Sequence, residues 1–223
     1  MQVLRQLGLV SLSAAMVLAA GSASAVSFGF GNITNNGNTD VGGQLSVDVT
    51  DSGSNTVTFQ FFNAVGTASS ITDIYFDDGT LFGISSITVS AGVAFDDPAT
   101  PSELPGANNA NPDFVTSAGF SADSDAPVSS NGVNAAGEWV KITFGLINGK
   151  TFADTIAALQ AGNNLCASCD PDSPVDTLRI GLHVQAIGAT NGSDSYVTVP
   201  EPTGVLLFGI GALIAGAAIR KRS

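Results

Sequence analysis

Period-two alternation of apolar and polar side chains runs through several short stretches of this 223-residue chain. Successive side chains of a strand point to opposite faces, so this period predicts half-buried strands. The longest stretch spans residues 177–187, and the pattern recurs at residues 44–50, 56–63 and 138–147. The residues expected to face the core are Leu45, Val47, Val49, Val57, Phe59, Phe61, Val140, Ile142, Phe144, Leu146, Leu178, Ile180, Leu182, Val184 and Ala186.

Turn-forming residues separate these strands. The sequence Asp-Ser-Gly-Ser-Asn at residues 51–55 predicts a hairpin between the two strands that flank it. Further strands are expected at residues 71–76, 81–89, 114–120 and 195–199. Two long stretches rich in Pro, Asn, Gly and Ala show no period and are expected to be surface loops: residues 96–111 and 123–137.

One short amphipathic helix is predicted after residue 150. Thr151 can cap its amino end, Asp154 suits the positive end of the helix dipole, and Gly162 is expected to end it. Strands this closely spaced, with no helix between most of them, predict antiparallel pairing. The expected fold is therefore mainly β, an antiparallel β-sandwich or jelly roll with one short helix, filled by many of the chain's 13 phenylalanines.

The amino end of the chain has the composition of a secretory signal peptide. Arg5 is followed by a short apolar stretch, and small residues then end in Ala23, Ser24 and Ala25. Cleavage is expected before Val26, which makes residues 1–25 the signal peptide. An uncleaved amino-terminal anchor is the alternative.

The carboxyl end of the chain, residues 199–223, forms a second targeting segment. Its apolar run, residues 203–219, holds 17 uncharged positions, and a helix of that length is roughly 25 Å long, enough to cross a hydrocarbon core. Basic residues after a span favour the cytoplasmic side. The flanking residues are Pro200, Glu201 and Pro202 before the run and Arg220, Lys221 and Arg222 after it.

This order of Pro-Glu-Pro, short apolar helix and basic cluster resembles the PEP-CTERM sorting signal of Gram-negative bacteria. The resemblance implies recognition by exosortase, a membrane transpeptidase that removes the tail near the Pro-Glu-Pro. The protein would cross the inner membrane through the Sec export machinery, stay there briefly as an anchored precursor, and then reach the cell surface or the medium. An ordinary single-pass anchor is the alternative. The body also resembles a recurrent group of PEP-CTERM ectodomains without assigned activity, at residues 74–79, 138–144, 150–154, 178–185 and 192–196.

The body between the two targeting segments, residues 26–198, is strongly acidic and long enough for one domain. Its three basic residues are Lys141, Lys150 and Arg179, against 18 acidic ones, which gives a formal charge of −15. A surface of this charge repels phosphate backbones, so no nucleic-acid partner is expected.

Acidic clusters in the body could gather divalent cations. The weak Ca²⁺ candidates are Asp77 with Asp78 and Asp170 with Asp172, together with Asp96–Asp97, Asp123 with Asp125, and Asp176. None of these clusters has the spacing of an EF-hand loop. Solvated turns are the favoured interpretation, and no cofactor is expected.

Cys166 and Cys169 are the chain's two cysteines and form a C-x-x-C pair. Such a pair can be a redox centre, half of a zinc site or a local disulfide. A redox centre needs a βαβ context and zinc needs four ligands, and the sequence offers neither. In an oxidising compartment the favoured interpretation is a disulfide that closes the loop.

Candidate catalytic residues are few. The single histidine, His183, falls in the middle of a predicted strand, on a polar face with Arg179 and Gln185, where a surface role is favoured. No G-x-S-x-G elbow accompanies it, and the two glutamates of the body, Glu103 and Glu138, lie in or beside loops. No enzymatic activity is expected.

Three functions are compatible with these features. The favoured one is a structural or adhesive surface protein associated with exopolysaccharide in an extracellular matrix, because it accounts for both ends of the chain. A secreted carbohydrate-binding module is the main alternative, although Trp139, Tyr75 and Tyr196 are few aromatic residues for that purpose. A secreted hydrolase is the third.

Overall fold

The computed structural model describes residues 25–163 and 176–199, which form a mainly antiparallel β structure with few helices. The described strands are β1 Val26–Asn32, β2 Leu45–Gly53, β3 Thr56–Asn63, β4 Ser70–Asp77, β5 Leu81–Val89, β6 Phe95–Asp96, β7 Ser121–Ser124, β8 Trp139–Leu146, β9 Arg179–Ile187 and β10 Gly192–Val199. The described helices are α1 Val128–Asn131 and α2 Phe152–Asn163, with 3₁₀ turns at Gly42–Gln44, Ala107–Asn109 and Gly188–Thr190.

The ten described strands form one sheet that curls back on itself and nearly closes. Their order is β5-β8-β3-β2-β1-β10-β9-β4-β7-β6, and every pairing is antiparallel. The two edge strands, β5 and β6, approach each other. Phe59 of β3 and Phe76 of β4 stand far apart in the strand order, yet their ring centroids are 5.3 Å apart. The two halves of the sheet therefore pack against each other around one core.

The inward faces of the predicted strands form this core. The hairpin of β2 and β3 is present, and β8 continues the same sheet from β3. Nearly all the residues expected to face inward are buried, and Phe59, Phe61 and Phe144 have no exposed surface. Ala186 is the exception, because its backbone takes a positive φ of 53° and Ile187 is buried instead.

Phenylalanine rings at the centre of the core meet edge to face. The ring of Phe76 lies 4.7 Å from that of Phe144, 5.3 Å from Phe59 and 6.2 Å from Phe61, measured between centroids. Interplanar angles of 67–76° place ring edges against ring faces, which is the favourable arrangement of aromatic quadrupoles. Phe76 therefore joins the two halves of the curled sheet.

Helix α2 begins where the sequence predicts. The Asp154 N–H donates to the Thr151 hydroxyl at 3.3 Å, and the Thr151 N–H donates to the Asp154 carboxylate at 2.7 Å, which together form a capping box. Gly162 has a different role from the one expected, since the helix continues to Asn163. A Cβ at Gly162 would lie 2.3 Å from the Leu178 carbonyl oxygen. Glycine therefore allows α2 to pack closely against the backbone at Leu178. None of the helices in the described part of the chain is long and apolar enough to cross a membrane.

The strand expected at residues 114–120 is absent, and the sequence prediction there was wrong. Residues 97–116 instead cross the outer face of β4, β9 and β10 and pack a second apolar cluster onto it. Leu104 and Phe114 of this covering segment lie over Gly181, where an added Cβ would be 2.8 Å from Leu104. Phe114 is buried by this packing, so its apolar character does not indicate a strand.

The structure also differs from the sequence prediction at residues 123–137 and at the first strand. Residues 123–137 are more ordered than a surface loop, because they include α1 and a two-way backbone pairing of Val133 with Ile71. Strand β1 was not predicted, although Val26, Phe28 and Phe30 alternate with small residues. Glycines at 29 and 31 hid this short strand, which pairs with β2 on one side and β10 on the other.

Candidate functional site

Most of the predicted site residues lie outside the described residues. These are Ala23 of the cleavage site, Pro200, Glu201, Pro202, Arg220, Lys221 and Arg222 of the tail, the pair Cys166 and Cys169, and the acidic candidates Asp170 and Asp172. Ala25 is exposed, and Val26 is the first residue of β1. The first described strand therefore starts at the residue before which cleavage is expected, and the cleavage itself stays a prediction.

Asp77, one of the Ca²⁺ candidates, is the partner of a buried arginine. Its Oδ2 accepts from Arg179 Nε at 3.0 Å and from Nη2 at 2.5 Å, and the Arg179 side chain is only 7% exposed. Burial raises the pKa of the adjacent Asp78 carboxyl, and repulsion from Asp77 and Asp176 raises it further. Across residues 25–163 and 176–199, no group of three or more Asp, Glu, His or Cys residues is arranged to hold a metal ion. The Ca²⁺ assignment stays a prediction.

Arg179 fastens the covering segment to the sheet. Its Nη1 donates to the Pro112 carbonyl and its Nη2 to the Asp113 carbonyl, both at 2.7 Å. The guanidinium also lies 5.4 Å from the ring centroid of Phe114, within the range of a cation–π interaction. The alternation places Arg179 on a polar face, but the covering segment buries that face, so this arginine has a structural role.

His183 is not a freely exposed side chain either. Its Nδ1 lies 3.0 Å from Asp73 Oδ2, and the two side chains are 15% and 6% exposed. The Thr72 hydroxyl donates to the same Asp73 oxygen at 2.7 Å. Asp123 is opposite Asp73 in the next strand, and burial raises the pKa of its carboxyl despite a hydrogen bond from the Thr100 N–H. These groups form a polar row beside the covering segment, which the sequence did not predict.

Asp194 organises the loop after β1. Its carboxylate accepts hydrogen bonds from the Thr34 hydroxyl, the Asn36 N–H and the Asn38 amide, each at 2.8 Å. Burial alone would raise the pKa of the Asp194 carboxyl, but these hydrogen bonds together lower the pKa below its ordinary value of 3.8. The ionised carboxylate therefore stabilises the folded state.

Replacing Asp194 with asparagine should make stability less dependent on acid pH. A carboxyl whose pKa is lowered by folding contributes stability above its unfolded pKa, and that contribution is lost as pH falls through the folded pKa. We expect D194N to be about 1–3 kcal/mol less stable than the parent at neutral pH. The difference in the free energy of unfolding between D194N and the parent should narrow below about pH 4. Urea denaturation at several pH values measures it, with D125N at an exposed position as the control; a gap that is constant down to about pH 3 would contradict the assignment.

Among the clefts of the described surface are two of moderate size. The larger, with a volume of about 430 Å³, lies between the start of β4 at Ser69–Ser70, helix α1 at Ser129–Ser130, and Asn191. Its lining carries hydroxyl and amide groups without a titratable side chain, and the buried hydroxyl of Ser70 has no hydrogen-bond partner. The smaller cleft, of about 280 Å³, lies beside Arg179 and Thr198. Neither cleft brings an acid and a base together.

Within residues 25–163 and 176–199, no segment covers the outer face of β2, β3, β8 and β5; we call it the open face. The cross-strand rows on it run Ser46–Phe62–Trp139, Asp48–Gln60–Lys141 and Thr50–Thr58–Thr143. All nine of these side chains are partly exposed. On the other half of the sheet the outward residues Tyr75 and Val197 are buried at 0% and 8% exposure beneath the covering segment. The open face is therefore the half of the sheet that no described residue covers.

The chain was compared with family models, curated proteins and solved structures, and none of them matches it.

Proposed function

We propose that this protein is exported, sorted by exosortase at its carboxyl-terminal tail, and delivered to the cell surface or extracellular matrix as a non-catalytic structural or adhesive module. The tail carries the proposal, through Pro200, Glu201 and Pro202, the apolar run at 203–219 and the terminal basic cluster. Before processing, that run would hold the protein in the inner membrane with its acidic body outside.

The positions of the first and last described strands support this proposal. Strands β1 and β10 are antiparallel neighbours, and Gly29 is opposite Val199. The chain therefore enters the sheet at Val26 and leaves it at Val199 at the same end of the molecule. A signal peptide that precedes Val26 and a tail that follows Val199 would both join the body at this end. They could therefore occupy the same membrane while the body stays folded.

The curled sheet is, in our proposal, an antiparallel sandwich, because the rings of Phe76 and Phe144 meet across the core from different halves of the sheet. The jelly-roll variant stays a prediction.

A non-catalytic role is supported by the structural use of both glutamates of the body. The Glu103 carboxylate accepts from the Thr116 N–H at 3.2 Å. The Glu138 carboxylate accepts from the N–H groups of Asn134 and Ala135, both at 2.8 Å. These bonds fix loop conformation. A hydrolase screen of the purified protein addresses the remaining enzymatic alternative.

Replacing Pro200 and Pro202 with alanine should leave the protein full-length and in the membrane. Proline disfavours helix at its own position and the one before it, so the sequence favours an extended processing site, as a site outside the bilayer would require. Intact mass measured in membrane, surface and medium fractions of the native host is the readout. The parent should give a mass from Val26 to near the Pro-Glu-Pro motif.

T203A is the matched control, because it alters the adjacent residue and leaves the motif intact. Unaltered release of the double proline variant would count against sorting. A parent protein that keeps residues 203–223 would indicate an ordinary anchor.

A further inference from the structure

The open face combines flat aromatic rings with rows of neutral polar side chains. Trp139 and Phe62 are directly opposite each other on β8 and β3, with both side chains partly exposed. Phe82 of β5 lies over Gly145 farther along β8, and it is 75% exposed. Phe82 is thus one of the exposed large apolar side chains of the described surface, whereas Trp139 and Phe62 expose only part of their rings. Apolar rings that share one face of a sheet can mark an interaction site. Three rings on one uncovered sheet face therefore indicate a binding surface.

The groups between these rings are suited to hydroxyl-rich ligands. The hydroxyls of Thr58 and Thr143 lie 2.8 Å apart, and Gln60 is next to Lys141 in the neighbouring row. From the Trp139 row to the Gly145 row the face extends six residues, or about 20 Å along the strand. Side-chain hydroxyl and amide groups can each donate and accept hydrogen bonds, as sugar hydroxyls do. The length allows several sugar rings to lie in a row.

Lys141 and Asp48 give this face one charge of each sign. The Lys141 Nζ lies 4.6 Å from the ring centroid of Trp139, where a cation–π interaction holds it. Within the described part of the chain, the ion pairs involve Lys150, Arg179 and His183, so Lys141 has no carboxylate partner there. The open face is thus close to neutral on a body of formal charge −15.

The geometry points to the open face as a docking surface for an extended, neutral polysaccharide, with Trp139 as the stacking platform at one end of the face. This inference rests on the proposed matrix role, for which it names the ligand class. The C–H faces of pyranose rings pack on flat aromatic rings, while their hydroxyls meet Gln60, Thr58 and Thr143. Polyanions are disfavoured, because the surrounding acidic surface repels them and one lysine cannot offset that repulsion.

Affinity electrophoresis of the full chain tests this inference. The protein is kept in a detergent without a sugar headgroup, such as lauryldimethylamine oxide, and run in gels containing hydroxyethyl cellulose, galactomannan or arabinoxylan, with alginate as the polyanion. At least one neutral polysaccharide should retard the parent, whereas alginate should not. Trp139 is the single tryptophan of the chain, so a change in its emission on titration with the retarding polysaccharide reports contact at this face.

Variants locate the binding surface. W139A should raise the dissociation constant at least about tenfold, which corresponds to about 1.4 kcal/mol. W139F keeps a flat ring and should retain most of the affinity. V115A is the matched control, because Val115 is 60% exposed on the covering segment of the opposite half of the molecule. It should bind like the parent.

Several results would overturn the inference. They are retardation by none of the three neutral polysaccharides, retardation by alginate alone, unchanged affinity of W139A, or a dimer in sedimentation that W139A dissociates. The last result would make the open face an interface between copies of this chain. Because the assay uses purified protein without exosortase, its failure would leave the sorting proposal standing. Failure of the proline test would likewise leave the binding result standing.

Discussion

Alanine in place of Phe76 should lower the free energy of unfolding by about 3–5 kcal/mol, the usual loss for a fully buried aromatic residue. Phe76 has no exposed surface and packs edge to face on Phe59, Phe61 and Phe144. Its removal leaves a cavity where the two halves of the curled sheet meet. Chemical denaturation, read by circular dichroism and by the emission of Trp139, measures the loss.

Two further variants make this test specific. F76L keeps most of the volume and should cost at most about 1.5 kcal/mol. F82A removes the same kind of ring from a position that is 75% exposed and should change stability by less than about 0.5 kcal/mol. A loss below about 1 kcal/mol in F76A would mean that the two halves do not depend on this contact.

The second large effect is expected at the ion pair between the buried Arg179 and the partly exposed Asp77. Removing one partner of such a pair leaves an uncompensated charge, so D77A should lose about 3–5 kcal/mol. The carbonyl groups of Pro112 and Asp113 still bind the guanidinium, but they cannot neutralise it. Urea denaturation measures the loss, and cleavage by a protease should increase in the covering segment that Arg179 holds.

The double variant D77A/R179L should recover part of this loss, because no buried charge remains. K150A is the control, since the ion pair of Lys150 with Asp176 lies at the surface and its removal should leave the denaturation midpoint unchanged. If D77A were as stable as K150A, the charge of Arg179 would be satisfied by the carbonyl groups alone.

The local elements followed directly from the sequence because their causes are local. Strands β2, β3 and β8 show a strict period of two, and the structure buries the predicted face of each. The capping box of Thr151 and Asp154 likewise sets the start of α2 from residues three positions apart. Period and capping depend on neighbouring residues only, so sequence reasoning reaches them.

The sequence predictions were incomplete or wrong where a segment distant in the chain packs on the residues concerned. Residues 71–76 form a strand as expected, but β4 is buried on both faces because the covering segment lies over it. Phe114 belongs to that segment, so its apolar neighbourhood was mistaken for a strand. The pairs of His183 with Asp73 and of Arg179 with Asp77 join residues 110 and 102 positions apart. No local pattern predicts such partners.

The open face likewise has one part that the sequence predicts and one that it does not. Trp139 was expected to point outward from its period alone, and it does. Its neighbours Phe62 and Gln60, however, depend on the register between β3 and β8, which only the folded sheet defines.

The sequence by itself determined the antiparallel β class, the capped helix, the acidic charge and the expectation of two targeting segments, because each follows from composition or from short-range periodicity. The tertiary structure decided the strand order, the curling of the sheet and which half of its outer face is covered. Those features depend on contacts between residues distant in the chain, where small differences in packing select one arrangement among many that share the same local pattern.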